Sequence, residues 1–155
     1  METVCDTLEG ALEKAIEQEQ QSIELYRQAL ERVENPQARE ILKDLVYEEL
    51  EHKHVLEKAL IGESITLHEK EESTGPSMNL AYFLREKALA PDSSAQDVMI
   101  YAIHDEKRSA EFYKQMASQC RGAPMEEVFK RIHRQEMIHL ARLEESYEKI
   151  YMSQM

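Results

Sequence analysis

The chain has 155 residues, room for one domain with a real core, and a net charge of −12. Only 4 Gly, 4 Pro and no Trp accompany 32% charged and 42% hydrophobic residues, which suits long amphipathic helices and predicts an all-α fold. Acid outnumbers base by 31 to 19, no apolar run approaches the ~20 residues that span a bilayer, and Met1-Glu2-Thr3-Val4-Cys5-Asp6 is unlike a secretory signal. Neither nucleic acid nor membrane is expected as a partner, and a cytoplasmic location is.

The first helix is expected over about 6–33, opened by a capping box at Asp6-Thr7-Leu8-Glu9. Asn35-Pro36 marks a turn, with Pro36 suited to the first position of a second helix that runs to about Leu60. Residues 61–94 read as a long exposed connection with a short helix near 79–89. Ser93-Ser94 can cap a third helix reaching about Cys120, Arg121-Gly122-Ala123-Pro124 is a second turn, and a fourth helix fills most of the rest. The expected domain is a single unit, 1–155, of two helical hairpins (6–60 and 94–152) joined by a crossover (61–93).

The second hairpin repeats the first at an offset of 87 residues. Ala15-Ile16, Glu19, Ser22, Glu24 and Tyr26 correspond to Ala102-Ile103, Glu106, Ser109, Glu111 and Tyr113. Glu49-x-x-His52-x-x-x-Leu56-Glu57 corresponds to Glu136-x-x-His139-x-x-x-Leu143-Glu144. Each helix carries a core-facing stripe at 3-and-4 spacing, and each stripe has a glutamate in its middle. The fourth stripe reads Met125, Phe129, Ile132, Glu136, His139, Leu143, Ser146, Ile150.

Four carboxylates inside an apolar bundle are costly to desolvate and repel one another. Two divalent cations remove both problems, because four glutamates and two neutral histidines then form a neutral shell. Glu at i and His at i+3 share a helix face and can reach one centre. Glu19 and Glu49 are equidistant from the first turn, and Glu106 and Glu136 from the second, so each hairpin brings its pair to one height. The 34-residue connection can travel the length of the bundle, setting the third helix parallel to the second and all four glutamates in one layer. Glu51-x-x-His54 lies roughly 200° around the second helix from Glu49 and His52, at about 100° per residue, and reads as surface. Glu17, Glu24 and Glu111 read as surface too, and His68 as loop.

These motifs resemble the ferritin-like di-iron carboxylate family, in its rubrerythrin-like branch, whose pattern is a Glu on two helices and Glu-x-x-His on the other two. The resemblance spans all four helices. It implies metal ligation by Glu19, Glu49, His52, Glu106, Glu136 and His139, with Glu49 and Glu136 bridging, Glu19 and Glu106 terminal, and one histidine per metal. Tyr26 and Tyr113 resemble tyrosines that support such ligands. The implied cofactor is two iron ions, with manganese an alternative at one or both positions. The implied activity is oxidation–reduction with peroxide or dioxygen, fed by an external rubredoxin-like electron donor, in a homodimer. The alternatives are iron handling, with Fe²⁺ itself the substrate, and a non-catalytic helical interaction module. Rubrerythrins typically have a further glutamate three residues after the third-helix ligand, where this chain has Ser109, and usually carry a rubredoxin domain with paired CxxC motifs, absent from this sequence. Both departures count against rubrerythrin-type peroxidase chemistry. The fourth-helix pattern leaves no fifth helix for a storage cage.

Cys5 and Cys120 form no CxxC pair and are expected as free thiols. If the first and third helices are antiparallel, both lie about 21 Å from the glutamate layer, at the same end of the bundle.

Overall fold

In a computed structural model, the described residues are 8–61, 77–123 and 125–152. The order is α1 (Leu8–Arg32), α2 (Pro36–Leu60), a 3₁₀ turn (Leu80–Tyr82), α3 (Ala95–Gln119) and α4 (Glu126–Tyr147), which continues as a π turn (Glu148–Met152). The all-α four-helix bundle of two hairpins is therefore present.

Local chemistry explains the helix limits. Asn35 accepts the Ala38 N–H at 3.0 Å while Pro36 occupies the first turn, so α2 begins where its free N–H groups are satisfied. Arg39 returns to the end of α1 and donates to the carbonyls of Leu30 and Val33. Ser94 and Asp97 form a reciprocal capping box on α3. Between α3 and α4, Gly122 takes φ +82° and its N–H is bound by Glu126. The proposed cap at Asp6-Thr7 and the loop histidine His68 lie outside the described residues.

Two apolar clusters define the bundle's ends. At one end Ala11, Leu12 and Ala15 of α1 meet Leu56 of α2, Tyr113, Met116, Ala117 and Cys120 of α3, and Phe129 and Ile132 of α4. At the other, Tyr26, Ala29 and Val33 meet Ala38, Leu42, Leu45, Ala95, Val98 and Ala102. The start of α1 thus lies beside the end of α3, and α2 runs parallel to α3, as a lengthwise crossover requires. The glutamates lie between the two clusters. No helix among the described residues is long and apolar enough to cross a membrane.

Three expectations change. The helix expected near 79–89 is a single 3₁₀ turn. Asn79 enters it with φ 55°, Glu144 binds the Leu80 N–H, and His104 binds the Leu84 carbonyl, so the strand of chain is tied to α3 and α4 instead of to itself. The buried stripe of α4 drifts after Glu136 to Leu140, Glu144 and Tyr147, leaving Ser146 and Ile150 exposed, because the crossover packs Leu80 on that face with Met99 and Ile103. Cys120 is disulfide-bonded, not a free thiol. It is buried beside the first turns of α1, so antiparallel packing puts it where the chain enters the bundle. Cys5 lies outside the described residues.

Candidate metal centre

All six candidate ligands converge. Glu19, Glu49, His52, Glu106 and Glu136 are buried, and His139 is nearly so, with 15% side-chain exposure. Each comes from the middle of its helix, where the 3-and-4 stripe turns polar. Nδ1 of His52 lies 2.9 Å from Glu136 Oε1, 3.6 Å from Glu19 Oε1 and 3.8 Å from Glu49 Oε2. One donor atom each from Glu19, Glu49, His52 and Glu136 falls within 4.8 Å of the others, and so do atoms of His52, Glu136 and His139. The two imidazoles stack with centroids 5.8 Å apart and planes 11° apart.

Hydrogen bonding supplies the test of fit. Glu19 Oε2, both oxygens of Glu49, Glu106 and Glu136, and Nδ1 of each histidine are buried with no aligned hydrogen bond. Nine orphaned donor-capable atoms facing one centre are far from the ordinary rule that buried polar groups are paired. Metal coordination would satisfy all of them, and the mixture of carboxylate and imidazole suits iron or manganese.

Neighbours orient these groups. Tyr113 donates to Glu19 Oε1, leaving Oε2 free. Gln135 Oε1 lies 3.0 Å from His52 Nε2; an amide oxygen only accepts, so Nε2 carries a proton and Nδ1 is the nitrogen turned toward the carboxylates. Tyr26 does not mirror Tyr113. It donates to Asp105, which also meets Arg108 at 3.5 Å, and Arg108 forks onto Glu86 with two 2.9 Å bonds. Burial, then the neighbouring acids, raise both phenols above their ordinary range, so both remain donors.

The metal-free charge state follows from the same geometry. Burial, reinforced by neighbouring carboxylates, raises Glu49 and Glu106 well above the usual carboxyl range. At Glu136 burial also opposes charge, but Glu106 and His52 outweigh it and hold the carboxyl down to about 2. Burial disfavours charge on His52, yet contact with Glu136 prevails and raises it. The result is a His52–Glu136 ion pair beside two carboxyls, Glu49 and Glu106, that burial pushes toward the protonated form. His139 is pulled below its ordinary value by burial.

Glu51, His54, Glu17, Glu24 and Glu111 are exposed, as expected. His104 and His133 bind the backbone carbonyls of Leu84 and Ala110 and are not part of the cluster. Sequence reasoning missed Asp105, Gln135 and Glu48. Glu48 Oε2 lies 3.3 Å from His139 Nδ1, and burial followed by the charge of Glu136 pushes this carboxyl up to about 7. Neither contact is local, since Glu48 of α2 reaches His139 of α4 and Gln135 of α4 reaches His52 of α2, so spacing along one helix did not mark them.

A bundle of two repeated hairpins enclosing carboxylates and imidazoles in one layer is a ferritin-like architecture. The chain belongs to the rubrerythrin family, whose profile matches residues 10–147. No curated protein and no solved structure gave a match. Rubrerythrins bind di-iron centres, and this chain has the acid and histidine groups to hold metal.

Proposed function

We propose that the protein is a di-metal oxidoreductase, most simply di-iron, that reacts with peroxide or dioxygen and takes electrons from an external donor. The observation that carries this reading is the set of nine buried, orphaned donor atoms converging from four helices. Glu19 and His52 would serve one metal position and Glu106 and His139 the other, with Glu49 and Glu136 between. A bound iron pair supplies the redox chemistry. The chain's own part is to hold the ligands in a dry layer, to keep Nδ1 of His52 inward through Gln135, and to fix Glu19 through Tyr113.

Ligand binding would displace protons favoured by the raised His52, Glu49 and Glu106, so metal uptake would release protons. Ser109, in place of a further carboxylate, favours iron oxidation with Fe²⁺ as substrate as the second reading. Anaerobic Fe²⁺ loading followed by stopped-flow mixing separates them. Faster reaction with peroxide than with dioxygen supports a peroxidase; the reverse order with continued turnover of added Fe²⁺ supports iron oxidation. A protein that binds no Fe²⁺ sinks both.

A further inference from the structure

The duplication carries Glu48 onto Gln135, and the two side chains do different things. Gln135 touches the outer nitrogen of His52, away from the carboxylates. Glu48 approaches the inner nitrogen of His139, 3.3 Å away. One oxygen of Glu48, one of Glu106 and a ring nitrogen of His139 all lie within 4.8 Å of one another. Glu106 is fully buried with both oxygens orphaned, and Nδ1 of His139 is orphaned as well. Two of the three groups therefore already lack a partner and aim at the space Glu48 reaches. Unlike the enclosed cluster around His52, this one opens outward, since the Glu48 side chain is 32% exposed.

We propose that Glu48 is a ligand of the second metal position, beyond the six of the duplicated pattern, and that it makes the two positions inequivalent. The proposal rests on the di-metal reading above. The chemistry is that of a cation accepting two carboxylates and one imidazole. With Glu48 ionised, the shell around two divalent ions carries one negative charge instead of none, and the excess sits at the second position. A partly exposed carboxylate can also turn toward water, so ions exchange at this position faster than at the first.

Co²⁺ alone is a suitable probe, because its visible absorption reports coordination and titration calorimetry gives stoichiometry and affinity. The metal-free full chain should bind two Co²⁺. Glu48→Gln should keep the first at near-unchanged affinity and weaken the second about 10-fold or more, with altered absorption on the second equivalent only. Glu48→Ala should do the same, and it decides the matter should Glu48→Gln fail to fold by circular dichroism. Glu51→Gln, on the exposed face, should change neither. Two Co²⁺ bound by Glu48→Gln with wild-type affinities and spectra overturn the proposal and leave the di-metal reading standing. Fewer than two bound by the wild type overturn that reading itself.

Discussion

Glu106→Leu should stabilise the metal-free protein while destroying its capacity for two metals. Glu106 is fully buried, neither carboxyl oxygen has a hydrogen bond, and burial with the nearby Glu136 charge keeps the group well above the ordinary carboxyl range. An unsatisfied buried polar group costs about 1–3 kcal/mol, and leucine fills similar space without that penalty. Any support Glu106 gives the Glu136 anion is lost, so the lower part of that range is as acceptable as the upper. For a domain of this size, ~1 kcal/mol moves the melting temperature by about 2–4 °C, which sets the expected rise at about 2–12 °C. The assay is thermal unfolding by circular dichroism in chelator, repeated with excess Co²⁺. Metal narrows the gap, because a ligand present at 100 times its dissociation constant stabilises the wild type by about 2.7 kcal/mol and the variant loses part of that; the order reverses where the metal-free gain lies at the low end of its range. A natively folded Glu106→Leu that melts below the metal-free wild type would show that the carboxyl is already satisfied, and the argument from orphaned atoms would fall.

Glu136→Ala and His139→Ala should sharply reduce bound iron, measured per chain by elemental analysis, whereas Glu51→Ala and His54→Ala should not; equal loss from His54→Ala would refute the assigned helix face. Tyr113→Phe removes the hydrogen bond that orients Glu19 and should weaken the tighter Co²⁺ about 10-fold, while Tyr26→Phe, which loses a bond to Asp105, should leave that affinity alone. Metal-free stability should fall as pH rises from about 4.5 to 7, because Glu48 (pushed up to about 7), Glu49, Glu106 and Asp105 hold protons in the folded state that the unfolded chain has released. His139, pulled down, opposes this below its ordinary value of 6.5, and the raised His52 extends the fall above it. A metal-free melting temperature no lower at pH 8 than at pH 5.5 would contradict the assignment, and Co²⁺ affinity should climb over the same span.

The layer of four glutamates and two histidines was legible in the sequence because two independent regularities met there. The 87-residue offset paired the halves, and the 3-and-4 stripes placed each acid on a core face. What periodicity could not supply was the surroundings of each stripe. Glu48 lies off the stripe, and among 31 acidic residues a glutamate beside Glu49 carries no mark of its own. Asp105, next to Glu106, is hidden in the same way, although its burial against Tyr26 depends on how α1 and α3 meet. The drift of the α4 stripe and the failure of a helix at 79–89 share a cause outside local pattern: Glu144 spends its carboxylate on Ser77 and the Leu80 N–H.

That last contact also explains why a duplicated chain need not build a symmetric centre. The crossover is single, so only one hairpin can be covered by it. Glu57 and Glu144 are equivalent in the repeat, yet Glu57 is exposed and pairs with Lys53 at 3.6 Å, while Glu144 is buried under the crossover. The same covering side holds the Tyr26–Asp105–Arg108–Glu86 chain, whose last member belongs to the crossover. Gln18 occupies the repeat position of Asp105, and Gln135 that of Glu48, so at both places one hairpin has a neutral amide where the other has a carboxylate. If Glu48 is a ligand as proposed, its charge near Glu106 and His139 would favour the more highly charged cation there. The lone crossover therefore makes the two halves of the repeat differ on the side it covers, at Glu144, His104 and Asp105–Arg108.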